Sequence, residues 1–141
     1  MKKIRVMIVS LPGTWQQVLQ KNIESYSFVE VVGVVSGSLS AAQLAGQHEP
    51  DLILIDSSIP FDDAVVLIQK LKTEFPKTVS IAITDTTQQQ RRMTRSGADY
   101  AVSLGNYEPQ IREILNQLRD TIANGISKSE TAVPTQRGER E

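Results

Sequence analysis

Short apolar runs alternate with longer stretches of helical periodicity along residues 4–122. Runs rich in Val and Ile predict strands, and apolar residues three or four positions apart predict helices that pack on them. The strict alternation predicts an α/β fold with one open, five-stranded parallel sheet and helices on both faces. The predicted strands are residues 4–9, 28–35, 51–56, 78–84 and 100–104, and the predicted helices are residues 14–26, 39–46, 61–75, 86–96 and 107–122.

Turn and capping residues set the predicted ends of the helices. Thr14 follows a Pro-Gly turn and is the predicted N-cap of the first helix. The second helix is predicted to end near Gly46, and Gly97 has the position of a C-cap glycine after the fourth. That fourth helix offers only Met93 as a large apolar residue, so we expect it to be loosely held and mostly exposed to solvent.

The residues at the carboxyl ends of the predicted strands are the candidates for function, because open parallel sheets bind ligands at that edge. The third strand, DLILID, is almost continuously apolar and belongs in the centre of the sheet. The candidates are Ser10 and Leu11 after the first strand, Asp56 at the end of the third, Thr84 at the end of the fourth, and Ser103 or Leu104 at the end of the fifth.

Composition excludes several classes of function. The chain has no cysteine and one histidine, His48, so disulfides and ordinary zinc sites are excluded. The formal net charge of −1 lacks the basic excess of a nucleic-acid-binding domain. No segment has the length of a membrane span, and Arg5 interrupts the apolar start, which argues against an export signal. We therefore expect a cytoplasmic protein that binds neither nucleic acid nor membrane.

The last part of the chain differs in pattern from the rest. From about residue 125 the sequence is polar and lacks any period. Such a segment cannot bury enough apolar surface to fold by itself. We therefore predict one domain over residues 1–124 and a disordered tail or linker over residues 125–141.

Three segments carry a recognisable pattern: PDLILIDSSIP at 50–60, SIAIT at 80–84 and SGADY at 96–100. With them, the chain resembles the receiver domain of two-component response regulators, and the resemblance extends over residues 3–124. The resemblance implies the flavodoxin-like (βα)5 fold with strand order 2-1-3-4-5. It also implies that Asp56 is the phosphoacceptor candidate and that Thr84 and Tyr100 are the switch residues that sense the phosphoryl group.

The chain departs from the receiver pattern at two places. An acidic pair is expected where Ser10 and Leu11 stand, and a lysine where Ser103 or Leu104 stands. Carboxylates would hold Mg²⁺, and a fixed cation would offset the charge of the transferred phosphoryl group. These losses predict an atypical receiver, a pseudo-receiver that acts through protein–protein interaction with weak or no phosphorylation. We then expect no metal, no cofactor and no catalytic residue. Mg²⁺ binding and self-phosphorylation are expected only if the Asp56 site is competent.

Alternatives stay open at this stage. Asp56 could instead cap the helix that follows it, or could accept a phosphoryl group from a histidine kinase in a phosphorelay. A small α/β enzyme is disfavoured, since no glycine-rich fingerprint or catalytic triad is present. Receivers commonly use helix 4, strand 5 and helix 5 to bind partners. The resemblance therefore points to a homodimer, a histidine kinase or an effector domain bound at this face, near Arg91, Arg92 and Arg95.

Overall fold

Five parallel strands form one sheet in the computed structural model, which describes residues 2–124. The strands are β1 (Ile4–Val9), β2 (Val29–Val35), β3 (Leu52–Ile55), β4 (Val79–Thr84) and β5 (Tyr100–Ser103). The helices are α1 (Thr14–Glu24), α2 (Ser38–His48), α3 (Phe61–Glu74), α4 (Thr87–Ser96) and α5 (Tyr107–Ala123), with a 3₁₀ turn over Leu104–Asn106. The order β2-β1-β3-β4-β5 confirms the predicted fold. The tail predicted over residues 125–141 lies outside the described residues.

Two apolar layers cover the sheet, one on each face. On one face, Leu19 and Ile23 of α1 pack with Ile111 and Leu115 of α5. On the other face, α2, α3 and α4 cover the sheet, and Met93 is the buried residue of α4. All four residues of β3 are buried, as its continuous apolar run predicts.

Three element ends differ from the sequence-based prediction. Thr14 is the first residue of α1, and the N-cap is Gly13, whose φ of 148° favours glycine. The second helix continues past Gly46 to His48, because an exposed glycine lowers helix stability without breaking the hydrogen-bond ladder. The fifth strand ends at Ser103, and Leu104 begins the 3₁₀ turn that leads into α5.

The fourth helix, which the sequence predicts to be loosely held, makes several specific contacts. Thr86 caps it by accepting a hydrogen bond from the Gln89 N–H at 3.1 Å. Gln90 Nε2 donates to the Ala101 carbonyl of β5 at 2.7 Å, which ties the helix to the edge strand. Gly97 ends the helix with a φ of 119°, which confirms its predicted role.

The first turn of α5 is held against α1 by a mixed aromatic and polar contact. The rings of Trp15 and Tyr107 meet edge to face, with their centroids 5.5 Å apart. Asn22 Nδ2 donates to the Tyr107 hydroxyl at 2.6 Å. Burial raises the pKa of Tyr107 above its ordinary value, although the hydrogen bond from Asn22 opposes the shift. None of the helices in residues 2–124 is both long and apolar enough to cross a bilayer.

The burial of β3 predicts a clear difference between two Leu→Ala substitutions. Leu54 is fully buried in β3, so Leu54→Ala should lower the free energy of unfolding by about 2–5 kcal/mol. Leu39 is 72% exposed on α2, and Leu39→Ala should change the free energy of unfolding by less than about 0.5 kcal/mol. Urea denaturation followed by circular dichroism measures both. Equal effects of the two substitutions would contradict a core centred on β3.

Candidate functional site

The carboxyl ends of the four strands β1, β3, β4 and β5 meet at one edge of the sheet, as predicted. The Asp56 N–H donates to the Val9 carbonyl at 3.0 Å, so Asp56 lies beside the end of β1. On the other side, Thr84 is paired with Ser103 in the register of β4 and β5. Ser10, Asp56, Thr84 and Ser103 therefore lie along this edge.

Asp56 is buried, with only 1% of its surface exposed. Its Oδ1 accepts a hydrogen bond from the Ser58 N–H. Its Oδ2 is also buried and has no hydrogen-bond partner among residues 2–124. The alternative that Asp56 caps the next helix is wrong, because the N-cap of α3 is Pro60 and the Asp56 carboxylate instead accepts a hydrogen bond from Ser58 in the loop after β3.

Ser58 joins the two loops that enclose Asp56. Its Oγ accepts a hydrogen bond from the Leu11 N–H at 2.9 Å, across 47 positions of sequence. Its own N–H donates to Asp56, so one residue links the loop after β1 to the carboxylate after β3. Sequence reasoning did not single out Ser58. The sequence feature that could have identified it is a serine in a short loop, because serine side chains there often form hydrogen bonds with backbone groups.

Ser10 and Leu11 bring no charge to the site. Ser10 is fully buried, and its Oγ lies 3.5 Å from the Leu11 carbonyl, at the limit of hydrogen-bond distance. The Ser10 carbonyl accepts a hydrogen bond from Gln16 Nε2 at 2.7 Å, which fixes the loop to α1. The Leu11 side chain is 41% exposed. Neither side chain offers the carboxylate oxygens that a magnesium ion prefers.

Thr84 and Ser103 form the opposite wall of the site. Thr84 is 2% exposed, and its Oγ1 donates to the Val102 carbonyl of β5 at 3.2 Å. The strand register places Ser103 beside Thr84, whereas Leu104 lies in the 3₁₀ turn and is 37% exposed. Tyr100 begins β5 and packs, partly buried, against the core on the α1 and α5 side.

Comparison with known proteins identifies the fold and its family. No family model matches the chain. The receiver-domain structure of Thermotoga maritima CheB superposes with a TM-score of 0.72 at 21% identity, covering 84% of this chain and 98% of that one. The receiver domain of Salmonella enterica serovar Typhimurium RcsB gives a TM-score of 0.73 at 18% identity, with 84% and 90% coverage. Likenesses at this level of identity establish the fold.

Two curated relatives extend the similarity to sequence. The "Probable C4-dicarboxylate response regulator DctR" of Priestia megaterium is 31% identical over 117 residues, which is 81% of this chain and 51% of that protein. A protein-glutamate methylesterase/protein-glutamine glutaminase of Hahella chejuensis is 28% identical over 102 residues, or 72% and 28% of the two chains. The chain carries a response-regulator receiver domain. It spans about half or less of the length of these relatives.

The described part of this receiver domain gives Asp56 neither an ion pair nor a metal-binding group of side chains. No group of three or more His, Cys, Asp or Glu side chains suited to a metal is present in residues 2–124. Asp56 forms no ion pair with any described residue. The residues present therefore do not fit Mg²⁺, because one buried carboxylate among serine, threonine and leucine side chains lacks the oxygen ligands that this ion requires.

The three arginines on α4 of the receiver domain are all exposed, but they do not share the same neighbours. Arg92 lies over the Phe61 ring of α3, with its Cζ atom 5.3 Å from the ring centroid. Its Nη2 is 4.0 Å from Asp62 Oδ1. Arg91 and Arg95, one helical turn apart, form no ion pair within residues 2–124. The contact of Arg92 with α3 was not predicted from the sequence.

Replacement of the buried carboxylate by its amide predicts a gain in stability. Asp56→Asn should raise the free energy of unfolding at pH 7 by about 1–3 kcal/mol, since a buried oxygen without a partner is costly when charged. The asparagine Oδ1 can still accept the hydrogen bond from Ser58. Urea denaturation tests this, and Asp85→Asn, at an exposed acid on the same edge, should have no measurable effect. A loss of stability in Asp56→Asn alone would contradict the prediction.

Proposed function

We propose that this receiver domain transmits its signal by binding a protein partner, with weak or no phosphorylation of Asp56. The observation that carries the proposal is that Asp56 forms no ion pair within residues 2–124 and belongs to no group of three or more acidic or histidine side chains there that could hold a metal. It therefore acts as a pseudo-receiver, and at most it phosphorylates itself.

The charge balance at the site supports this proposal. Transfer of a phosphoryl group to Asp56 would add negative charge to a carboxylate that is already buried. A metal ion and a fixed cation are the groups that usually stabilise such charge. Ser10, Leu11 and Ser103 supply none, so the transition state would lack its main source of electrostatic stabilisation.

Access to Asp56 supports the proposal as well. In-line displacement requires the donor phosphorus to approach a carboxylate oxygen. Oδ1 is engaged by the Ser58 N–H, Oδ2 is buried, and the Ser58–Leu11 hydrogen bond joins the two loops beside them. Neither carboxylate oxygen is therefore freely accessible to a phosphoryl donor in this structure.

The surface of α4, β5 and α5 is the proposed binding face. Arg91 and Arg95 are exposed there, and Arg92 at the margin toward α3 extends the positive charge. We propose that this face forms a homodimer in the cytoplasm, or binds an effector domain or a histidine kinase. The boundary of the domain is proposed at residue 124, with residues 125–141 as tail or linker.

Phosphotransfer from acetyl phosphate tests the proposed function directly. In the transfer, the phosphoryl group would pass to the Asp56 carboxylate and acetate would leave. We expect wild-type protein with acetyl phosphate and Mg²⁺ to show no added phosphoryl group by intact mass spectrometry. The variant Ser10→Asp/Leu11→Asp/Ser103→Lys, checked for folding, should regain it. A gain in wild type that is absent in Asp56→Asn would instead establish the alternative, a working phosphorelay receiver.

The proposed dimer face is tested by sedimentation. If the face is used, Arg91→Ala/Arg95→Ala should change the monomer–dimer equilibrium measured by analytical ultracentrifugation at least severalfold. Lys21→Ala/Lys77→Ala, at two exposed lysines outside α4, β5 and α5, should leave it unchanged. A monomer at all concentrations, or an equal effect of both variants, would exclude a dimer through this face.

A further inference from the structure

A small pocket lies between the loop after β3, the start of α3 and the side of α4. Its volume is about 150 Å³. Its walls are apolar at Ile59, Phe61 and Met93 and polar at Asp56, Thr84 and Gln89. We propose that this pocket binds the side-chain ammonium group of a lysine from a protein partner, with Asp56 Oδ2 as the hydrogen-bond acceptor. The inference rests on the proposed function, since it specifies the chemistry by which a partner is bound.

Asp56 Oδ2 is the feature that points to a ligand. It is a buried carboxylate oxygen without a hydrogen-bond partner among residues 2–124, and its residue lines the pocket. Buried polar atoms in native proteins are almost always paired, because an unpaired one carries its full desolvation cost. A donor from outside the domain would pair it, and a cationic donor would form the stronger, charge-assisted bond.

The geometry of the carboxylate favours ammonium over guanidinium. Oδ1 already accepts the N–H of Ser58, so only Oδ2 is left to accept a further bond. Arginine gains most from a carboxylate when both oxygens accept in parallel, whereas lysine binds as a point charge through a single oxygen. The site therefore matches the ammonium group of lysine.

The size and the walls of the pocket match a single side chain. A cavity of this volume is known to hold a molecule of the size of benzene, which is similar in size to four methylene groups and one nitrogen. Apolar side chains line the part away from Asp56, where methylene groups of a lysine stem would replace water. A peptide segment or a nucleotide would be too large.

The charges around the pocket favour a cation. Asp62 and Asp63 in the first turn of α3 and Asp85 after β4 are exposed acids near it, in addition to Asp56 itself. Arg92 lies over the Phe61 ring and next to Asp62, so it offsets part of this negative charge. The local balance is therefore negative, which attracts a cationic side chain.

Binding requires the lining to open slightly, since Oδ2 is not exposed to solvent. Ser57 and Gln89 in the lining are half-buried, and rotamer changes at such positions occur commonly on binding. Gln89 Oε1 accepts from the exposed Asp85 N–H at 3.1 Å, a bond that water can replace. The required movement is therefore confined to side chains.

The experiment is an NMR titration of the ¹⁵N-labelled protein with n-butylammonium, which is the side chain of lysine, at constant ionic strength. We expect saturable shifts at Ser57, Ser58, Thr84 and Gln89, with a Kd on the order of 1–10 mM, as a ligand of this size allows. Asp56→Asn should weaken binding at least about tenfold, since a charge-assisted bond is lost. The matched control Asp85→Asn should weaken it by no more than about twofold, because exposed charges are screened.

Three further ligands define the chemistry. Neutral n-butanol and n-propylguanidinium, the arginine side chain, should each bind several-fold more weakly than n-butylammonium. Capped lysine, Nα-acetyl-lysine N-methylamide, should bind at least as tightly as n-butylammonium. Binding of n-butylammonium without binding of capped lysine would contradict a partner side chain and indicate a free amine as the ligand.

The proposal is overturned if no saturable shift appears up to about 100 mM, a concentration well above the expected Kd. Equal affinity of wild type and Asp56→Asn, or of n-butanol and n-butylammonium, would overturn it too. This failure differs from failure of the proposed function. If acetyl phosphate phosphorylates Asp56, the proposed function is refuted, whatever the titration shows. If the protein is not phosphorylated and also does not bind the amine, only the lysine pocket is refuted.

Discussion

Strand β3 lies between β1 and β4, and all four of its side chains are buried under helices on the two faces of the sheet. Both neighbours are parallel to it, and its four residues are in register with β1 on one side and β4 on the other, so backbone hydrogen bonds hold it to both strands. The strand ends at the same level as β1, and the chain can only continue into the loop that carries Asp56. A carboxylate is thereby brought to the rim of the core, where it is buried and lines a small pocket.

The side chains around that carboxylate satisfy backbone groups rather than one another. Ser58 accepts from Leu11, Thr84 donates to Val102, and Gln90 on α4 donates to Ala101. Each of these bonds connects two segments at the carboxyl edge of the sheet, so the edge is held together by neutral hydrogen bonds. In a site built for phosphoryl transfer, charged side chains aimed at the reacting group would take this role. The edge as it stands is suited to holding a fixed shape.

The fold could be predicted from the sequence because its signals are local and repeat. The DLILID run, the helical spacing of apolar residues and Gly97 each indicate one element without knowledge of the others. Thr14 and Gly46 misled the prediction of helix ends, since capping and breaking tendencies are weak compared with the hydrogen bonds of neighbouring residues. The strand ends that bring Asp56 near Thr84 followed from topology alone.

The details of the site could not be predicted in the same way. The bond from Leu11 to Ser58 spans 47 positions, and the contact of Arg92 with Phe61 joins two helices. Neither contact corresponds to a repeating pattern in the sequence. Burial of Asp56 is likewise a property of two loops that close together. Such features depend on side-chain conformations that are chosen only after the elements have packed.

The unpaired oxygen of Asp56 has a consequence for the energetics of the whole domain. This oxygen is poorly solvated in the free domain and would be well paired in a complex. That difference alone makes the free and the bound states unequal in free energy, before any new surface is buried. The free domain is then held at a higher energy than its packing alone would give, and a partner that satisfies the oxygen lowers it. By linkage, a partner that pairs this oxygen would also raise the melting temperature of the domain.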